Sequence, residues 1–261
     1  AFNQPISTVS LEQGEYANTG FTQWGASGLA AVWAEENTRE SIFNAFRRKE
    51  TFATTGTRIA VRFFGGYNLS SIDLNSETIV SEAYQKGVTM GSDLLNDENK
   101  DPEFLVWAQR DKNGAPLQRI QIIKGWIDAN SGRPEEKVFD VACSDGLQPD
   151  LLTNRCPDNG ARVNINDCSI TPNVGSSELK TIWKDPEFVP ADKTFYYVRV
   201  LENPTCRWST WDAIKAGFKP REGLHETIQE RAWSSPIWYI PEQSDVEVIP
   251  LGGTIQLRNI D

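Results

Sequence analysis

From Glu50 onward the hydrophobic pattern of this chain runs in twos. Residues 58–64 (RIAVRFF), 103–109 (EFLVWAQ), 117–128 (LQRIQIIKGWID), 136–143 (EKVFDVAC), 179–183 and 195–201 (FYYVRVL) are short runs rich in β-branched and aromatic side chains, separated by Gly, Pro and Asn. Successive side chains of a strand point to opposite faces, so such runs make strands with one face inward. Many of them in sequence call for a sandwich or open barrel. Further strands are predicted at 51–55, 236–240 and 254–257. Asn113–Gly114, between two runs, reads as a hairpin turn. Gly65–Gly66 reads as another turn, and helix is expected after residue 50 only near 209–216.

The first 56 residues have a different texture. Gly28–Ala34 (GLAAVWA) reads as a buried strand. A helix comes next, with Asn37 as cap, Glu40 completing a capping box and Ile42, Phe43 and Phe46 as its buried face. Arg47, Arg48 and Lys49 end it, cations complementing the helix dipole. One strand and one helix cannot enclose a core. Residues 1–56 therefore either belong to a larger α/β domain or pack on the β region. The fold expected is mainly β: an antiparallel, sandwich-like region over 57–261, preceded by a short α/β segment over 1–56.

With 36 acidic and 26 basic residues the net charge is −10. That excludes non-specific attraction to nucleic acid or anionic membranes, which reward clustered Lys and Arg. No run of about 18 apolar residues exists to span a bilayer, and AFNQPISTVS lacks a basic-then-apolar leader pattern. The cysteines Cys143, Cys156, Cys168 and Cys206 include no CxxC pair, and His225 is the single histidine, so zinc spacing is absent. Three pairings are open. Cys143–Cys156 with Cys168–Cys206 is favoured, because it orders the turn-rich segment between 143 and 168, which has little apolar surface of its own. Four reduced thiols remain the alternative. Bridges would place the chain in an oxidising compartment, periplasmic or secreted.

Few residues announce chemistry. His225 sits in a polar connector with no nucleophile elbow nearby. Trp107, Trp126, Trp183, Trp208, Trp211, Trp233 and Trp238 can stack on sugars if exposed, though filling a core is their commoner use. The acidic run 93–101 lacks the spacing of a calcium loop and reads as a solvated loop. KDPEF occurs at 100–104 and again at 184–188 with nothing around it repeating. Arg207, Glu230 and Arg231 stand in polar-aromatic settings, CRWST and QERAWSS, where an arginine fork can clamp phosphate or carboxylate or pair with a structural glutamate.

Three long segments carry a family resemblance: 30–66 (AAVWAEENTRESIFNAFRRKETFATTGTRIAVRFFGG), 117–128 with 136–146, and 195–239 (FYYVRVLENPTCRWSTWDAIKAGFKPREGLHETIQERAWSSPIWY). Together they resemble the C-terminal half of a bacterial secreted family, formerly a domain of unknown function, allied to the PHP (polymerase and histidinol phosphatase) metallohydrolases. The resemblance implies that GLAAVWA, the helix after Asn37 and ETFATTG (50–56) close a PHP-type barrel, with a β domain after it. It also implies a metal-dependent phosphoesterase whose histidine and aspartate ligands lie upstream of this region, so no metal ligand carries over and no cofactor is expected in this chain.

The expected role is an accessory β domain, inactive alone. Its partners would be the upstream catalytic domain with its divalent ions and a small phosphorylated substrate, contacted through Arg39, Arg207, Glu230 and Arg231. A carbohydrate-binding or purely structural β module is the alternative.

Overall fold

The computed structural model describes residues 8–11, 14–17, 25–97, 100–128, 131–217, 219–220 and 222–241, the first two stretches as backbone only. The strand predicted at 254–257 lies outside them. In chain order the elements are β1 (Thr8–Leu11), β2 (Gly14–Ala17), β3 (Leu29–Val32), α1 (Arg39–Arg47), β4 (Thr51–Thr54), β5 (Ala60–Gly66), a 3-10 turn (Leu69–Ser71) and α2 (Ile79–Lys86). Then come β6 (Gly87–Thr89), β7 (Asp93–Leu95), β8 (Glu103–Gln109), β9 (Leu117–Ile127), β10 (Pro134–Cys143), β11 (Val163–Asn164), β12 (Ser169–Ile170) and β13 (Glu178–Lys184). The last are β14 (Thr194–Glu202), β15 (Thr205–Cys206), α3 (Trp208–Lys215), β16 (Thr227–Ile228), β17 (Arg231–Ser234) and β18 (Ile237–Ile240).

Two sheets face each other. The larger runs β10-β9-β14-β17-β4-β3, with β18 and β7 continuing from the other end of β14; the smaller runs β13-β8-β5-β6. Among the described residues all strand pairings are antiparallel except β18 with β7. Alternation fills the space between them. Ile120, Ile122, Tyr196, Val198, Val200 and Ala232 of the large sheet meet Val61, Phe63, Phe104, Val106 and Ala108 of the small one, all buried. The outer face of the small sheet is covered too: Phe64 and Leu105 pack under Leu69, Ile72, Ile79 and Ala83. The fold is therefore mainly β and sandwich-like, with α2 as an outer layer that the sequence pattern did not reveal.

Among the described residues, the ion pair of Lys124 and Asp185 has both side chains buried. Lys124 Nζ lies 2.6 Å from Asp185 Oδ2 and donates to the Glu187 carbonyl at 2.7 Å. The Tyr196 hydroxyl donates to the same Asp185 carboxylate at 2.8 Å. Burial, then the Asp185 charge, raises the Tyr196 pKa, keeping it a donor. The repeated KDPEF segments meet at this end of the sandwich: β8 and β13 pair, and Lys184 bridges to Glu103 at 2.9 Å.

Several expectations are corrected. Gly28–Ala34 is not a buried strand; β3 is half exposed and forms the edge of the large sheet, bonded to β4. The cap of α1 is Thr38, whose hydroxyl accepts from Ser41 N–H at 3.3 Å, not Asn37. Only Ala45 of α1 is buried, while Phe43 and Phe46 are 59% and 52% exposed. Gly65–Gly66 is strand rather than turn. A Cβ on Gly66 would meet the Lys86 carbonyl at 2.7 Å, so glycine there admits the close approach of the chain at Gly87. Asn113–Gly114 does not close a hairpin: β8 and β9 lie in different sheets, and the turn, stapled by Asp111 to Asn113 N–H and Arg58 N–H, carries the chain across the sandwich. Asp93–Leu95 is a strand, not a solvated loop. Beyond these, β3 and β4 extend the sheet built by the later strands, so residues 29–54 share a sheet with the region after them, while among the described residues β1 and β2 pair only with each other.

Both favoured disulfides are present, Cys143–Cys156 and Cys168–Cys206. No helix among the described residues is long and apolar enough to cross a membrane. Replacing Cys168 and Cys206 by Ser removes a link over 38 residues and should cost about 3–4 kcal/mol; guanidinium unfolding of parent and double variant measures it.

A second prediction concerns Glu202, fully buried at the bulge of β14, with neither carboxylate oxygen closed into a hydrogen bond. Burial first, with Glu230 and Asp111 adding repulsion, pushes its pKa up to about 7. The folded state thus holds this proton more tightly than the unfolded chain does. Its stabilising effect is full below the ordinary carboxyl pKa and is lost as pH rises through about 7. Urea unfolding at pH 5 and pH 8 should show the parent losing up to about 3 kcal/mol more than Glu202→Gln. Parallel losses in the two proteins would contradict it.

Candidate functional site

The two disulfides and one small ladder assemble a cleft at the end of the large sheet. β15 pairs with β16, Thr205 opposite Ile228 and Cys206 opposite Thr227. The Cys168–Cys206 bridge ties that ladder to the turn-rich segment, and Cys143–Cys156 ties the middle of the segment back to the end of β10. Arg207 comes directly after Cys206. Its N–H donates to the Glu226 carbonyl at 2.9 Å, and it stands at the N-cap of α3. The resulting cleft, about 510 Å³, is lined by Gln118, Asp158, Arg162, Arg207, His225 and Arg231, among others.

Polar contacts hold each wall. Arg207 is only 7% exposed; its Nη1 donates to Ser209 Oγ at 2.6 Å and its guanidinium lies over Trp208. Arg162 forks onto Asp158 at 3.0 and 2.5 Å, and this holds the Asp158 carboxyl down to about 2. Gln118 Nε2 donates to Asn159 Oδ1 at 3.2 Å, while its Oε1 accepts from Gln229 Nε2 at 2.9 Å. Arg231 Nε donates to the Gln229 carbonyl at 3.2 Å. Three guanidiniums thus converge with one carboxylate between them, and an oxyanion is the charge such a wall accommodates.

Of the four side chains singled out in sequence, Arg207 and Arg231 meet in this cleft. Glu230 precedes Arg231 but turns to the Thr55 hydroxyl, pinning β17 to the end of β4. Arg39 lies elsewhere, on α1, in a shallow concavity with Glu40, Ile42, Phe43 and Phe46. Sequence reasoning missed Gln118 and Arg162. Gln118 is the second residue of β9, and nothing local joins it to residues forty positions on. His225 joins the cleft wall.

Of the seven tryptophans considered for sugar stacking, only Trp211 and Trp238 are exposed, on different elements. Trp183 packs into the core against Phe104, Phe139 and Tyr196. Among the described residues no group of three or more His, Cys, Asp or Glu side chains is arranged to hold a metal ion. Nor does the cleft suit one, since its imidazole stands among arginines that repel a cation.

No curated protein and no solved structure matches the chain. A family model does match, over residues 3–241, and by it the chain belongs to the family described as "Protein of unknown function (DUF3604)".

Proposed function

We propose that this chain is the accessory β module of a PHP-like, metal-dependent phosphoesterase, secreted or periplasmic in a bacterium, and that it serves an α/β catalytic domain rather than performing hydrolysis alone. The observation that carries this reading is the outer face of α1. Phe43 and Phe46 are more than half exposed beside Ile42, with Leu29 exposed on edge strand β3. A helix with aromatic residues in water, next to a sheet edge bearing no charge or proline, is the profile of a surface awaiting a partner. Arg39 would meet that partner's surface. The arginine-lined cleft supports the second half of the proposal, contact with a small phosphorylated substrate through Arg207 and Arg231. Two disulfides agree with an oxidising compartment. The divalent ions would supply activated water and charge neutralisation in the catalytic domain; this chain's contribution is binding and orientation.

The test is hydrolysis of p-nitrophenyl phosphate and bis-p-nitrophenyl phosphate with Mn²⁺, Mg²⁺ or Zn²⁺. The 261-residue chain should be inert, and a longer product of the same gene carrying a histidine-rich α/β region should show turnover that a chelator abolishes. Chelator-sensitive turnover by the chain itself would refute the proposal. Separately, Phe43→Ser with Phe46→Ser should shift the chain's own unfolding free energy by about 0.5 kcal/mol or less per site, as for exposed positions. A loss of about 3 kcal/mol per site would mark α1 as core instead.

A carbohydrate-binding reading rests on a different observation. Phe195 stacks near Tyr197 and packs against exposed Trp238. Quenching of tryptophan fluorescence by neutral glycans would favour it.

A further inference from the structure

The cationic wall does not end at Arg231. On the large sheet, the residues alternating with the buried Ile120, Ile122, Val198, Val200 and Ala232 point to the opposite face, and they include Arg119, Gln121, Arg199 and Arg231. Register brings the arginines together. Arg119 on β9 and Arg231 on β17 both lie opposite Leu201, one on each side of β14, which sets their Cα atoms roughly 10 Å apart. Arg199, two residues along β14 from Leu201, is diagonal to both, within reach of long side chains.

Counter-charge is scarce there. Asp140 serves Arg119 and Arg155, each at 3.6 Å, and its oxygens already accept from Gln121 Nε2 at 2.6 Å and Cys156 N–H at 2.7 Å. Arg199 Nε donates to Gln121 Oε1 at 2.6 Å, and Arg231 Nε to a backbone carbonyl. Neither Arg199 nor Arg231 has a carboxylate within ion-pair distance among the described residues. The crowding shows in Arg119, whose pKa is lowered by burial first and then by Arg199, Arg155 and Arg231, with Asp140 opposing. Neutral amides and carbonyls thus orient the Arg199 and Arg231 forks without neutralising them, and Arg119 shares Asp140 with Arg155, in a chain whose net charge is −10.

We infer that Arg119, Arg199 and Arg231 form a second oxyanion subsite, continuous through Arg231 with the Arg207 cleft, and that the ligand is a small molecule bearing at least two oxyanion groups, phosphoryl or carboxyl. This goes beyond the accessory-module reading and shares with it only the use of Arg231. A fork on each oxyanion gives geometric selectivity that a diffuse positive patch lacks.

Calorimetric titration of the chain at constant ionic strength tests this with three probes: orthophosphate, tripolyphosphate and citrate. Tripolyphosphate should bind at least tenfold tighter than orthophosphate. Arg199→Gln should weaken tripolyphosphate at least tenfold while changing orthophosphate less than threefold. Arg199→Lys, which keeps the charge and loses the fork, should recover only part of the difference; it also carries the test should the Gln variant fail to fold. Arg133→Gln, in the β9–β10 hairpin, should leave all three titrations unchanged. Citrate binding as tightly as tripolyphosphate supports a carboxyl ligand, and weaker citrate binding supports a phosphoryl one. Tripolyphosphate binding no tighter than orthophosphate, or unaltered by either Arg199 substitution, overturns the second subsite and leaves the accessory-module reading in place. Chelator-sensitive hydrolysis by the chain would do the reverse.

Discussion

The alternation of β14 is the constraint on which the rest of this molecule depends. One strand is bonded along its length to β9 on one side and to β17 and β18 on the other. Its even-numbered residues Tyr196, Val198 and Val200 are sealed in the core, and its odd-numbered residues Tyr197 and Arg199 stand on the opposite face. A one-residue slip would drive the Arg199 guanidinium into the sandwich and expose three core side chains, so the register is strongly specified. The same strand also decides what is adjacent to what. By lying between β9 and β17 it makes neighbours of Arg119 and Arg231, residues more than a hundred positions apart.

The disulfides do a complementary job. Residues 144–175 contribute almost nothing to the core: of that stretch, Ala161 and Cys168 are the buried apolar side chains, while Leu151 and Leu152 lie almost wholly in water. Without apolar surface to bury, such a segment is ordered by closing loops covalently and by satisfying its turns locally. The turns show it: Asp150 accepts from Leu152 and Thr153 N–H, Asp158 from Gly160 N–H and Asp167 from Ser169 N–H. Order there matters because this segment supplies Asp158 and Arg162 to the cleft wall.

Strands were legible where both faces of the pattern were informative. β8, β9, β10, β13 and β14 track the alternating runs nearly to the residue. What failed depended on distant chain. Asn113–Gly114 has hairpin chemistry, but whether the next strand pairs with the last one or crosses the sandwich is decided by partners such as β14 and β5, not by the turn. Phe43 and Phe46 sit at helical spacing, which identifies a face but not whether anything covers it. α2 was missed because its two buried anchors, Ile79 and Ala83, make too narrow a stripe to stand out. The site divides the same way. Arg207 and Arg231 stood out locally among polar and aromatic neighbours. Gln118, Arg119, Arg162 and Arg199 become visible only once strand register and the Cys168–Cys206 bridge bring them together.

The contrast between net charge and local charge then bears on what can approach. At physiological salt a charge is felt over about 8 Å. A small anion at the large sheet's face is therefore governed by the nearby guanidiniums and scarcely by the acidic remainder of the surface. An extended polyanion would carry further charges past the arginines, along a chain in which acids outnumber bases by 36 to 26. If the proposed compact ligand with two or three oxyanion groups binds there, its selectivity would come from where the positive charge stops rather than from how much of it there is.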